Sequence, residues 1–165
     1  MVKSVINLFS YTGIFSVHAR LGGVASACNV DISNTVLRRA QSNYRLNGLK
    51  VDMRDFVQED SARYIRRAVK KGESCSMVLF DPPTFARSKS GSFSVKQDYS
   101  QYLGLIESFG CQYALTVINT HSVSEEEYFS FHPSTWENEF FMHESDDFPA
   151  ESEYYLKVGL WKVMR

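Results

Sequence analysis

The sequence predicts an α/β fold: a doubly wound, mostly parallel seven-stranded sheet with helices on both faces and an antiparallel hairpin at its C-terminal edge. Three observations predict it. Apolar runs of strand length alternate with longer segments of helical period, the pattern of βαβ units. After five strands the alternation gives way to two β segments in succession with no helix between them. The 165 residues, 44% of them hydrophobic, suit one domain, residues 1–165, large enough to bury most of its apolar surface.

Each element follows in order. "SVINLF" (4–9) reads as a fully buried strand, because a short continuous apolar run bounded by turn residues suits a strand covered on both faces. The turn "SYTG" and a helix through "FSVHARLG" come next, then a second strand, "VASACNV" (24–30). "SNTVLRRAQSNYRLNGL" opens on Ser33 as N-cap candidate and closes on Gly48, with Val36, Leu37, Ala40 and Tyr44 on one helix face. A third strand is expected at "RDFVQ" (54–58). The helix "SARYIRRAVKKG" ends in lysines that suit the negative end of its dipole. "CSMVLF" (75–80) is the fourth strand, "VKQDYSQYLGLIESFG" a helix, and "YALTVIN" (113–119) the fifth strand. A short helix, "SEEEYFSF", carries its glutamates in the first turn. "NEFFMHES" and "YYLKVGLWKV", joined by "DDFPAESE", form the closing pair, and Trp136 and Trp161 read as core or edge-packing residues.

Bulk composition excludes several classes. No run approaches the ~18 apolar residues of a membrane span, and the start "MVKSVINLFSYTG" has no cleavage pattern, so the expected location is cytoplasmic. Cys28, Cys75 and Cys111 lie in or beside apolar segments and read as buried free thiols rather than a disulfide framework. His18, His132 and His143 show no metal-like grouping. Net charge is −1 but uneven: residues 1–124 hold 15 Lys/Arg against 9 Asp/Glu, and residues 125–153 hold 10 Asp/Glu and no Lys or Arg. A mildly basic body with an acidic segment is compatible with one face meeting nucleic acid, and equally with a solvated surface of local bias.

Ligands of such sheets bind beyond the carboxyl ends of the strands, where the strand order reverses. The five parallel strands end in "FSYTG", "VDIS", "QEDS", "FDPPTF" and "INTHS". Three of these ends carry an aspartate: Asp31, Asp60 and Asp81. Each alone is more often a helix cap or turn former than a ligand contact; together they place polar anchors along one edge. The first turn, Ser10, Tyr11, Thr12 and Gly13, offers hydroxyls, a glycine that admits close approach of backbone to a ligand, and a helix N-terminus. It lacks the G-x-G-x-x-G fingerprint, so a dinucleotide and the oxidoreductase reading with it are set aside. Asp31 suits a ribose diol and Asp60 an adenine amino group. Ribose and adenine without pyrophosphate point to an adenosyl ligand such as S-adenosyl-L-methionine.

"NLFSYTGIFSVHARLGG", "NVDIS", "SNYRLNGL", "QEDSARYI" and "DPPTFARSKSGSFSVKQDY" resemble the catalytic domain of bacterial large-subunit (23S) rRNA methyltransferases. The resemblance spans nearly the whole chain and is strongest over residues 4–103. It implies a Rossmann-like class I methyltransferase sheet using S-adenosyl-L-methionine, with RNA as substrate. By motif match, Ser10, Tyr11, Thr12 and Gly13 hold the methionine part, Asp31 meets the ribose, Asp60 meets adenine, and Asp81 with Pro82 faces the methyl group; Ile32, next to Asp31, is counted with the cofactor-binding residues. Phe85 is placed to stack on a substrate base, a contact of roughly 1–3 kcal/mol. Arg87, Lys89 and Lys96 are placed to meet phosphates.

The sequence also departs from that family. Cytosine-C5 methylation needs a cysteine nucleophile at the pocket, where this chain has Thr84, Asn119, Thr120 and His121. A nitrogen target is therefore favoured, with His121 as a candidate proton acceptor. The family's N-terminal RNA-binding portion is expected to be absent, so RNA contact would need an upstream part or a partner. Ile14 follows Gly13 where a small residue is usual. These departures leave a second reading open: a degenerate or truncated methyltransferase-fold binding module without catalysis.

Overall fold

The computed structural model describes residues 2–88, 91–145 and 154–164. Strand β1 (Ser4–Leu8) leads through α1 (Ile14–Leu21) to β2 (Ser26–Asp31), and α2 (Asn34–Leu46) leads to β3 (Phe56–Gln58). Helix α3 (Ser61–Lys70) precedes β4 (Met77–Phe80). A short hairpin, β5 (Phe85–Ser88) and β6 (Gly91–Ser94), runs directly into α4 (Val95–Phe109). Strand β7 (Tyr113–Asn119), helix α5 (Glu125–Ser130), β8 (Trp136–Met142) and β9 (Leu156–Val163) complete the chain.

The main sheet has the order β3-β2-β1-β4-β7-β9-β8. The first five of these pair in parallel, while β9 runs antiparallel to both β7 and β8. The order reverses between β1 and β4, which is where a doubly wound sheet opens a crevice. The expected α/β architecture is the one observed, with two refinements. The closing strands do pair antiparallel, but the last strand inserts between β7 and β8, leaving β8 as the edge. The third strand is shorter than expected, because Met53–Asp55 wind into a 3-10 turn after the Asp52 carboxylate accepts the Arg54 N–H.

Local chemistry explains the helix ends. Ser33 occupies the N-cap position of α2, yet its side chain makes no cap bond; its own N–H donates to Asp31 Oδ1 at 2.9 Å. Ser124 and Glu127 form a reciprocal capping box at α5, with Glu125, Glu126 and Glu127 in the first turn as the dipole favours. Asp60 caps α3 by accepting the Arg63 N–H at 3.0 Å.

One face of the sheet packs Ile6, Leu8, Val78, Phe80 and Ile118 against Ile65 of α3 and Leu103 and Ile106 of α4. On the other face Val17, Leu37, Ala40, Tyr44 and Phe56 join α1 and α2 to the β2–β3 margin. Trp136 and Trp161 are both buried. The three cysteines are free thiols, with Cys75 and Cys111 buried; burial pushes Cys28 up to about 11 and Cys75 up to about 12, so neither forms a ready nucleophile. A buried polar cluster ties β7, α5 and β9 together. His132 Nδ1–H donates to Tyr128 O at 2.8 Å, so Nε2 accepts from the Thr116 hydroxyl at 2.9 Å. The His132 ring stacks on Trp161 with centroids 3.8 Å apart. Among the described residues no helix is long and apolar enough to cross a membrane.

Candidate active site

The loop between β1 and α1 is held in an unusual conformation. Phe9, Tyr11 and Gly13 have φ of 52°, 47° and 71°. Two bulky residues in the left-handed region mark a strained turn of the sort that surrounding contacts must impose. Those contacts come from three directions. Tyr11 N–H donates to Asp31 Oδ2 at 3.0 Å, Ser10 N–H to Val30 O at 3.0 Å, and Phe9 N–H to Ser61 Oγ at 3.2 Å. Asn43 Nδ2 reaches the Thr12 carbonyl from α2 at 2.9 Å. The Phe9 ring packs among Phe80, Phe93 and Tyr102. Glycine is required at position 13 because a Cβ there would lie 2.9 Å from both Ala40 Cβ and Asn29 Oδ1. The close approach on that side is thus to α2 and β2, a packing reason that the sequence did not reveal. Ile14 opens α1 with its side chain exposed.

The strand-end aspartates differ in what satisfies them. Asp31 accepts backbone N–H groups from Tyr11 and Ser33, one on each oxygen. Asp60 accepts the N–H of Arg63. Asp81 is half-buried, and among the described residues no group donates to its carboxylate; burial pushes its pKa up to about 6. The double proline supplies part of the reason. The N–H two residues on serves Asp31, and the one three residues on serves Asp60. Here the residue two on is Pro83, which has no N–H to give, and the Thr84 N–H three on makes no bond to Asp81 among the described residues.

The turn beyond Asp81 is fixed at both ends. Thr84 Oγ1 donates to Asn119 O at 3.2 Å, and Val95 N–H donates to Thr84 O at 3.1 Å. The hairpin that follows is anchored by Phe93, buried against Phe9 and Tyr102. Phe85, at its root, is 53% exposed. This hairpin was not legible in "FARSKSGSF", whose charge and serines read as loop. Arg87 lies in β5, in register with Ser92, while Lys89 lies outside the described residues. Lys96 is exposed in the first turn of α4, and His121 is exposed with its ring against Tyr155.

Lys157 is a site-edge residue that sequence reasoning passed over. It is 2% exposed, and its ammonium donates to the carbonyls of Thr120, Tyr154 and Tyr155 at 3.1, 2.8 and 3.4 Å. Glu144 accepts the N–H groups of Tyr155 and Leu156, so the chain entering β9 is gripped from both sides. The signal was the alternation in "YYLKVGLWKV", which puts Lys157 on the same face as Trp161.

The edge fits an adenosyl ligand. Ser10 Oγ is buried with no partner among the described residues, an orphan that a ligand's polar group at this loop would satisfy. The Asp31 oxygens keep lone pairs for a diol after taking one N–H each. Ile32, 46% exposed beside Asp31, offers apolar surface to a flat ring. Among the described residues no cluster of metal-ligating side chains occurs.

Comparison with known proteins agrees. "Ribosomal RNA large subunit methyltransferase K/L" of Shewanella sp. strain MR-4 is 45% identical over 107 residues, which are 63% of this chain and 15% of that protein. The protein of the same name from Shewanella oneidensis is 44% identical over 106 residues, 63% of this chain and 14% of that one. The chain therefore spans about a seventh of the length of these curated relatives. Among solved structures, SMU.776 complexed with SAH superposes with a TM-score of 0.90 at 24% identity, covering 98% of this chain and 45% of that one. The SAM-dependent methyltransferase from Agrobacterium tumefaciens gives 0.79 at 20%, covering 98% and 56%. Both likenesses are of fold. The family model for S-adenosylmethionine-dependent methyltransferases matches residues 1–129. With that match laid over the strained loop, the three strand-end acids and the reversal between β1 and β4, this chain belongs to the S-adenosylmethionine-dependent methyltransferase family.

Proposed function

We propose that the chain is the catalytic domain of an RNA methyltransferase that modifies a base nitrogen of large-subunit rRNA, with S-adenosylmethionine as donor. The observation that carries the reading is Asp81: a carboxylate at the order reversal, with no hydrogen-bond donor among the described residues and with a pKa raised to about 6. S-adenosylmethionine supplies a methyl group on a sulfonium, electrophilic enough to pass to a nitrogen lone pair.

The residues then divide the work. The Ser10–Gly13 loop and Asp31 hold the donor's polar and ribose parts, Ile32 lies against its flat ring, and Asp60 adds an acceptor for adenine. Asp81, short of donors, accepts a hydrogen bond from the substrate's amino or ring N–H and orients that nitrogen. As the nitrogen–carbon bond forms and the sulfur–carbon bond breaks, the nitrogen's proton needs an acceptor. A carboxylate tuned toward neutrality serves best near the working pH. The Pro82 and Pro83 turn presents carbonyls rather than N–H groups, which matches a base edge that donates. Phe85, exposed beside this turn, offers its ring for stacking.

The nitrogen target rests on the thiols. None of the three cysteines lies at the carboxyl edge, and the raised pKa of Cys28 and Cys75 opposes a thiolate. The relatives' printed names supply the choice of large-subunit rRNA. The test is methyl transfer from tritiated S-adenosylmethionine to total rRNA, followed by nuclease digestion and identification of the modified nucleoside. An N-methylated base from wild type, absent with Asp81→Asn, supports the proposal; a C5-methylated pyrimidine overturns the nitrogen assignment. Donor binding without transfer to any rRNA favours a binding module.

A further inference from the structure

We propose that Lys157 is a positioning residue for Asp81, acting through the end of β7 and the turn that Thr84 ties to it. The inference rests on the reading of Asp81 as the group that meets the substrate nitrogen. Burying an ammonium is unfavourable unless its protons find acceptors, and a neutral side chain would fill the same space without that penalty. What the charge adds is a hold on carbonyls from two segments far apart in the chain. Lys157 Nζ gathers Thr120 O, just past β7, with Tyr154 O and Tyr155 O, just before β9. The Thr120 N–H closes the same junction by donating to Tyr155 O at 2.9 Å. Regular pairing of the two strands stops one residue earlier, at Asn119 with Leu156. Beyond that point Lys157 fixes where the chain leaving β7 goes.

That junction reaches Asp81 by a short relay. Asn119, next to Thr120, offers its carbonyl to Thr84 Oγ1 at 3.2 Å. Between Thr84 and Asp81 stand only Pro82 and Pro83, whose rings lock φ, so the segment moves as a stiff piece. The Thr84 carbonyl is held in turn by the Val95 N–H, at the start of α4, at 3.1 Å. Thr84 thus hangs between α4 and the end of β7, and the second support is the one that Lys157 sets. Asp81 accepts from no group among the described residues, so the turn decides how deeply its carboxylate sits. Burial by itself raises the Asp81 pKa to about 6, which makes its titration a gauge of how closely the turn is held.

The test is a carbon-13 NMR titration of the Asp81 carboxyl in the 165-residue chain without donor, its signal assigned by its loss in Asp81→Asn. Lys157→Met should lower the midpoint by about one pH unit, as the turn loosens and water reaches the carboxylate. The sign is diagnostic. Removing a cation by itself raises a carboxyl pKa, so a fall reports lost burial and not lost charge. Thr84→Val, at an exposed position, cuts the relay one link later and should give a similar fall, which keeps the test open if Lys157→Met does not fold. The double variant should fall no further than the single ones, because both break one relay. In methyl transfer to rRNA, kcat of Lys157→Met should drop at least about tenfold through misplacement of the acceptor group. Its affinity for S-adenosylhomocysteine should stay within about twofold of wild type, since the donor loop is untouched. A midpoint that stays or rises in either single variant overturns the proposal, as does a double variant whose fall is the sum, or an unchanged kcat where the wild type is active. A wild-type chain that methylates no rRNA overturns instead the reading of Asp81 as the substrate-side group, while the titration still decides the part played by Lys157.

Discussion

Replacing Asp81 with Asn should make the protein more stable and less active, by an amount that depends on pH. Burial raises the Asp81 pKa from 3.8 to about 6, with no compensating hydrogen bond among the described residues. Between those values the folded state holds a proton that the unfolded state has released. Stability therefore falls as pH rises through that window, and the loss is complete above it. A shift of roughly two units at 1.36 kcal/mol each makes the penalty at pH 8 about 2–3 kcal/mol. Asn has nearly the same shape and carries no charge, so Asp81→Asn should recover that amount at pH 8 and almost nothing at pH 4. Urea unfolding of both proteins without donor, at pH 4, 6 and 8, measures the difference. Methyl transfer by the variant should fall by at least about 100-fold, the contribution typical of a positioned acid or base. Equal stability of the two proteins at pH 8, or a gain that persists undiminished at pH 4, refutes the claim that Asp81 is held charged against its environment.

Three further outcomes follow from the same geometry. His132 is buried and neutral with its pKa lowered to about 4, so the unfolded state takes up a proton first as pH falls below 6.5. Stability should drop by roughly 3 kcal/mol between pH 6.5 and 4 from this group, and His132→Gln should flatten that slope in urea titrations. Gly13→Ala forces a Cβ against Ala40 and Asn29 at φ 71° and should cost about 2–4 kcal/mol, with loss of donor binding in calorimetry. Asp31→Ala removes the carboxylate that accepts the Tyr11 and Ser33 N–H groups, both at least partly open to water, and should cost about 0.5–1.5 kcal/mol. Its S-adenosylhomocysteine affinity should fall at least about tenfold, and an unchanged isotherm would remove Asp31 from the site.

The sequence by itself determined the strand-helix alternation, the five parallel strand ends and the acids on them, because each of these is written in a short window. Continuous apolar runs mark buried strands, and a carboxylate after such a run lies at the sheet's carboxyl edge wherever the strand pairs. Pro83 already tells that Asp81 lacks the N–H two residues on that serves Asp31. What the tertiary structure alone decided involves partners far apart in the chain. The insertion of β9 between β7 and β8 rests on its antiparallel pairing with both strands. The burial of Lys157 depends on carbonyls near residues 120 and 154, and that of His132 on Thr116 and Trp161. The hairpin after Asp81 forms from unpromising residues because Phe93 finds Phe9 and Tyr102 beneath it. Periodicity fixes which face of a strand is apolar. What covers that face is settled by packing, and the half-exposed row from Leu156 to Lys162 becomes visible only when the sheet is assembled.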